Sequence, residues 1–384
     1  MFRLLLSSLL LPSLLFASTP PEDSWPMHRG GNLLQGIAEG KLPGKLKLAW
    51  SYKVPRPTRK DGTPDLQPAI KASAVIHKGK VFVGDDSGTF HAIDLTTGKP
   101  TWTFKALDVI EGAALVLGDT ISFGSGDGFL YCLNVDTGKL VWKYETQDQV
   151  LAAPNWAKDP KTGDPWILAG SYDGSVHCVN AKTGKAIWTY ETDNYVNGSP
   201  AIAGDKVIFG GCDTKLYVLE LATGKALESI EADAYIASSV AVRDEIGYLG
   251  HYDNAVLAFS TVTGDILWRY KKKQFPYFSS AAVTEKEVFL GGRDKSLHAI
   301  DRKSGEGLWT FKTRGQVDSS PVVCDGKIYF GSIDGNLYCL DASSGEEVWS
   351  YETGAGIIAS PAIASGKVVI GDEDGNLFAF GAKK

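Results

Sequence analysis

Short runs of Val, Ile, Leu, Tyr, Phe and Trp recur along this chain, separated by polar turns rich in Asp, Ser and Gly. The stretch from Lys327 to Tyr351 shows the pattern most fully: "KIYFGS", the turn "IDGN", then "LYCLDA", the turn "SSGE" and "EVWSY". Brief β-branched and aromatic runs bounded by Asp-Gly or Ser-Gly predict hairpins, because Gly takes the positive φ that such turns need. The preceding "SSPVV" supplies a fourth strand, and no helical pattern intervenes to cover a parallel sheet.

The unit repeats. Aligned on one glycine, copies start at Gly84, Gly124, Gly170, Gly210, Gly250, Gly291, Gly331 and Gly371, spaced by 40 residues or nearly so except for one interval of 46. A period of this length means a solenoid or a propeller. Four antiparallel strands per unit decide for the propeller. The predicted fold class is therefore all-β, an eight-bladed β-propeller of four-stranded antiparallel blades.

Four residues after the second turn glycine of a copy stands Trp102, Trp142, Trp188, Trp268, Trp309 or Trp349. A ring burying ~150–250 Å² at ~25 cal/mol per Å² is worth ~4–6 kcal/mol as a gross upper figure. The tryptophans thus read as wedges between neighbouring sheets. Glu228 breaks the rule, which predicts looser docking of the fourth blade. The eighth copy stops before its last strand, and "LKLAWSYKV" (Leu46 to Val54) looks like the missing piece, with Trp50 as its wedge. The N-terminal strand is expected to close the last blade and leave no free sheet edge in the ring.

A net charge of −6 argues against nucleic acid or an anionic membrane as partner, since either favours a basic face. The first seventeen residues, "MFRLLLSSLLLPSLLFA", place one Arg before an apolar run from Leu4 to Ala17. That is short for a membrane span and ends on a small residue, the pattern of a cleavable export signal. No cysteine follows it to carry a lipid. The expected organisation is a signal peptide at 1–17, an N-terminal arm at 18–45 and the propeller at 46–384, in a soluble, monomeric, periplasmic or secreted protein.

The recurring "G-x-x-D-G-x-L-Y-x-L-[DN]-x-x-[TS]-G-[KE]-x-x-W-x-[YF]", clearest at Gly124 to Tyr144, Gly170 to Tyr190 and Gly331 to Tyr351, resembles the PQQ-like (quinoprotein-type) β-propeller repeat, which WD40-like propellers parallel in architecture. One branch of that family, the quinoprotein alcohol dehydrogenases, carries pyrroloquinoline quinone (PQQ) and Ca²⁺. Another is a group of non-enzymatic periplasmic propellers that includes the BamB component of the outer-membrane protein assembly machinery. The opening "SWPMHRGG" and the short "LPGKLKLAWSY" look like this second type. The dehydrogenases bring a disulfide between neighbouring cysteines to the quinone, and here no two of the five cysteines are adjacent.

Candidate chemistry is sparse. Cys132, Cys178 and Cys339 share one repeat offset with Ala92, Val218, Ala258, Ala299 and Ala379, so they read as small core residues. His91, His177 and His298 fall where other copies hold Tyr131, Tyr217, Tyr338 and Phe378, so they read as packing residues, and His28, His77 and His251 are isolated. No zinc-type pairing, haem motif or calcium loop is present, and the Asp-Gly pairs are hairpin turns. What remains is the mouth of the central channel, where each innermost strand begins. One position there holds Lys71, Glu111, Asn197 and Asp318, against Leu151, Ala237, Phe278 and Ile358 in the other copies. The resemblance implies that carboxylates and an amide at this place grip metal and quinone in the dehydrogenases, which makes the four a candidate ligand site. Solvated channel residues with Lys71 paired to an acid are the other reading. Two long connections, Val54 to Ile70 and Trp156 to Trp166, interrupt the period and are expected on opposite faces of the disc.

With no nucleophile and base in view, the expected function is a scaffold for an envelope protein or peptide, needing no cofactor. A peptide would lie across the rim or add to a strand edge at blade four. The alternative is a PQQ- and Ca²⁺-dependent dehydrogenase using Glu111, Asn197 and Asp318.

Overall fold

In the computed structural model, residues 20–272 and 274–382 are described; the export signal read at 1–17 lies outside them. Eight sheets of four antiparallel strands follow one another along the chain; in seven the four strands pair in sequence order, and in the eighth the outermost strand comes from the N-terminal part of the chain. In the seventh blade Val322–Cys324, Lys327–Gly331, Asn336–Asp341 and Glu347–Glu352 run from the axis outward. The innermost strand of blade one, Val75–His77, adjoins that of blade eight, Ala362–Ala364, so the ring closes. Among the described residues there is no helix, and hence none long and apolar enough to cross a membrane.

The closure is the one the sequence predicts. Lys47–Lys53 pairs antiparallel with Asn376–Gly381, placing Trp50 opposite Ala379. The expectation of no free edge needs correction: no blade is left short of a strand, but each outermost strand still has an unpaired outer side, facing solvent at the circumference.

The tryptophans are interblade fasteners. A bulge just before each indole shifts the register between third and fourth strands, as between Leu140 and Trp142 or Leu48 and Trp50, and a bulge re-aims the side chain that follows it. The residue paired with the indole is small, Cys132 opposite Trp142, Cys178 opposite Trp188 and Ala92 opposite Trp102, so the core cysteines fill the role expected of them. Indole Nε1 groups then donate to carbonyls of the next blade, Trp50 to Leu95 (2.8 Å), Trp142 to Ala181 (2.9 Å) and Trp268 to Arg302 (3.0 Å). At blade four the side chains of Glu228 and Ile230 occupy this place against Gly264 of blade five.

The repeat histidines do more than pack. His91 Nε2 meets Asp85 at 2.9 Å while its Nδ1 meets the hydroxyl of Tyr52 from the previous blade at 3.3 Å. A like Asp–His–Tyr chain recurs as Asp173, His177 and Tyr144 and as Asp294, His298 and Tyr270, with the aspartate four residues before the histidine rather than six. Where a copy has Tyr instead of His, its hydroxyl donates directly to the turn aspartate, as Tyr131 does to Asp127 at 2.7 Å. All three histidines are buried, so these chains tie turns to strands and blades to blades.

Residues 20–38 form an arm that visits every blade at the far end of the innermost strands. Glu22 O accepts from Ser365 of blade eight, Trp25 bridges Ile76 of blade one, and Pro26 O accepts from Val116 of blade two. Asn32 O accepts from Asn155 of blade three and Ile202 of blade four, Leu33 O from Val242, and Gln35 O from Val283. Finally Ile37–Ala38 runs parallel to Val323 and Cys324 of blade seven. The arm caps one end of the channel; the starts of the innermost strands surround the other.

Candidate functional site

The mouth ring sits where the sequence places it, at the connections that lead into the innermost strands. Lys71 Nζ donates to Glu111 Oε1 at 3.0 Å across blades one and two. Burial works against the Lys71 charge, but the bond to Glu111 and the nearby Asp86 and Glu373 carboxylates hold its pKa above the ordinary lysine range. Asp318 takes a two-point bond from Arg293, Nε at 3.1 Å and Nη2 at 2.8 Å, and the same guanidinium lies 3.7 Å over the Phe278 ring. The Asn197 amide donates to Cys212 Sγ at 3.2 Å. Of the four predicted residues, Lys71 and Glu111 meet each other, Asn197 and Glu111 share a cavity, and Asp318 is engaged elsewhere.

The four residues do not gather into one ligand set. Both ring carboxylates are already bonded to a cation, on separate blades, and no group of three or more metal-ligating side chains gathers among the described residues. All five cysteines are free, so no disulfide faces the channel.

A second circle surrounds the mouth, built by one repeated backbone bond. The turn between second and third strands donates an N–H to the connection from the preceding blade: Cys212 to Tyr195, Tyr252 to Tyr235, Arg293 to Pro276. Over blades three to six this bond assembles aromatic side chains that the sequence reading passed over. Tyr172 stacks on Tyr195 (4.8 Å between centroids), Tyr252 packs on Phe278 (4.4 Å) and Tyr235 sets its edge to Tyr252 (6.2 Å). Tyr195, Tyr235 and Tyr252 are nevertheless 47%, 53% and 44% exposed. At the offset of Tyr195 and Tyr235 the other copies carry Ala69, Val109, Gln149, Pro276, Gln316 and Gly356, so no packing rule of the repeat demands a ring there. Departure from the repeat at a loop position was the signal that could have found them.

On the arm face the hairpin inserted in blade three packs beside Asn32 and Leu33, leaving an apolar cleft of about 410 Å³ with Trp156, Ile202 and Leu221 in its walls. The connection from Val54 to Ile70 lies at the mouth face, so the two long loops are at opposite ends of the channel, as expected.

Eight four-stranded sheets about a capped channel, with indole fasteners at the blade boundaries, define a quinoprotein-type β-propeller. The family profile described as "Outer membrane protein assembly factor BamB", a PQQ-like repeat profile, matches residues 47–191, 149–231, 172–310 and 293–384, and the chain belongs to that family. Among solved structures it is similar to BamB from Moraxella catarrhalis, with a TM-score of 0.69 at 21% identity over 88% of this chain and 98% of that one. It is also similar to a europium-containing methanol dehydrogenase, with a TM-score of 0.76 at 14% identity over 94% and 98% of the two chains. Quinohemoprotein alcohol dehydrogenase from Comamonas testosteroni matches with a TM-score of 0.77 at 14% identity over 96% and 82%. At these identities the likeness is one of fold. No curated protein matches the chain.

Proposed function

We propose that this protein is an exported scaffold that docks a partner polypeptide of the cell envelope on its mouth face. The observation that carries the reading is the exposed aromatic crescent of Tyr195, Tyr235 and Tyr252, backed by Tyr172 and Phe278. Tyrosines offer large contact area with only two side-chain torsions to freeze, which is why they dominate protein interfaces. Support comes also from the family profile, whose description is an assembly factor, and from the engagement of both ring carboxylates with cations.

A photo-crosslinking residue placed at Tyr235 should capture one envelope protein, while the same group at Lys161 on the arm face should not. Equal capture from both faces would overturn the reading. Trimming the loop from Pro55 to Pro68 tests whether the contact extends across the mouth to blade eight.

The dehydrogenase reading draws on the fold likeness to the two alcohol-oxidising enzymes. Titration with pyrroloquinoline quinone and Ca²⁺ separates the two: a bound chromophore with dye-linked alcohol oxidation favours the enzyme, and quinone that stays free in dialysis removes it.

A further inference from the structure

The channel beneath the mouth ring has its own chemistry, independent of the aromatic crescent. Its wall is a belt of serines at one repeat offset. The hydroxyl of Ser199 accepts from the N–H of Ala153, Ser239 from Ser199, Ser280 from Ser239, Ser320 from Ser280, Ser360 from Ser320 and Ser73 from Ser360, each at 2.9–3.0 Å. The belt breaks in blades two and three, where Ala113 and Ala153 stand in place of serine. The N–H groups of Ser73 and Ala113 therefore receive no hydroxyl from the next blade.

A cavity of about 160 Å³ borders the break, lined by Ser73, Ala113, Ala153, Ser199, Ser239 and Ser280, with Glu111 and Asn197 at its upper edge and His28 of the arm below. That is far more than the ~10–15 Å³ that holds one water. Each belt hydroxyl that accepts an N–H keeps its own hydrogen, and those of Ser199, Ser239 and Ser280 have no acceptor among the described residues. Next to His28 in the arm, Arg29 is 3% exposed and forms no ion pair among the described residues. Its guanidinium is held only by carbonyls, those of Ser320 (3.2 Å), Ala281 (3.0 Å) and Pro321 (2.6 Å), and its Nε is unpartnered. A buried cation without a counter-charge is costly. The neighbouring imidazole registers it: burial and then the Arg29 charge push the His28 pKa down to about 3. The one acid at the cavity edge, Glu111, is already paired with Lys71.

We propose that this cavity binds a small oxyanion, an inorganic phosphate or sulfate or a short carboxylate, on the free hydroxyls and the two N–H groups at the gap in the serine belt, beside His28. Arg29 does not line the cavity, but its charge, felt by His28 on the cavity wall, favours an anion there, and the donors are neutral groups that hold it without a salt bridge.

The test is calorimetric titration of the full mature chain with inorganic phosphate, with sulfate and with acetate, alongside the variant carrying Ala113→Ser and Ala153→Ser. That variant completes the belt and consumes both N–H groups, so it should fold and bind the preferred anion at least tenfold more weakly. The order of the three anions distinguishes a phosphate-type from a carboxylate-type ligand. His28→Ala, read by the same titration, should also change affinity. Failure of the parent protein to saturate with any of the three, or equal affinity in the belt-completed variant, overturns the proposal.

Discussion

Gly98 of blade one rests flat on the indole of Trp50 from blade eight. An alanine Cβ at Gly98 would come within 2.7 Å of that ring, and the backbone there holds φ at +70°, where only glycine is comfortable. The same glycine-on-indole contact fastens Gly138 to Trp102, Gly184 to Trp142 and Gly305 to Trp268. The seam joining the two ends of the chain is thus built like the seams inside it.

Trp50→Ala should lower stability by ~3–5 kcal/mol, as for a buried aromatic deleted from a core. Gly98→Ala should also destabilise, but less so when Trp50 is already Ala, because the ring it strikes has gone. Urea midpoints of the two single variants and the double variant give the coupling. Strictly additive losses would mean that the contact is not what fastens the seam.

Glu228→Trp should stabilise the protein by roughly 1–2 kcal/mol, the usual gain from filling an imperfect contact. The new ring would occupy the place against Gly264 that the side chains of Glu228 and Ile230 now hold. Thermal unfolding of this variant decides the matter, and a lower midpoint would show that Ile230 already completes the blade boundary.

His91→Phe should cost ~1–3 kcal/mol, because it leaves Oδ2 of the buried Asp85 carboxylate unpartnered. Burial opposes the charge of that carboxyl, yet the bonds from His91 and Ser87 keep its pKa below the ordinary range. His177→Tyr should cost less than His177→Phe, since Tyr131 and Tyr338 directly reach aspartates four residues before them, as Asp173 lies before His177. Guanidinium melts that rank the two His177 variants equally would show that packing alone matters at this position.

Stability should fall as the medium is acidified from pH 7 toward 5. Burial pushes His251 down to about 4, with Arg269 and Lys271 adding to the fall and Asp253 and Asp233 opposing it, and His28 lies lower still beside Arg29. In the unfolded chain both titrate near 6.5. Below that value the unfolded state takes up two protons that the folded state refuses, so stability drops by up to ~1.4 kcal/mol per pH unit for each group. Urea titrations at pH 7, 6 and 5 measure the slope, and replacing both histidines with Asn should flatten it.

What could be read from the chain was what the repeat enforces. Trp50, the turn glycines and the small residues opposite each indole recur at fixed offsets, so the ring and its closure followed from spacing alone. The mouth ring was legible as a place, and the pairing of Lys71 with an acid as one of two readings, though not that Glu111 is that acid. The crescent of Tyr195, Tyr235 and Tyr252 was not, because an aromatic in a single loop says nothing until backbone bonds set it beside another. The arm was least legible. "MHRGGNLLQG" has no internal period, since its residues meet different blades in turn, Asn32 and Gln35 two each, and Arg29 looks like an ordinary surface cation until the fold buries it.

That arm has a consequence for how the architecture can vary. Because successive residues from Glu22 to Ile37 touch blades eight, one, two, three, four, five, six and seven in turn, the segment works as a measuring tape for the circumference. A ring that gained or lost a sheet would throw every later contact out of step, so duplication of a blade would demand a matching change in the tape.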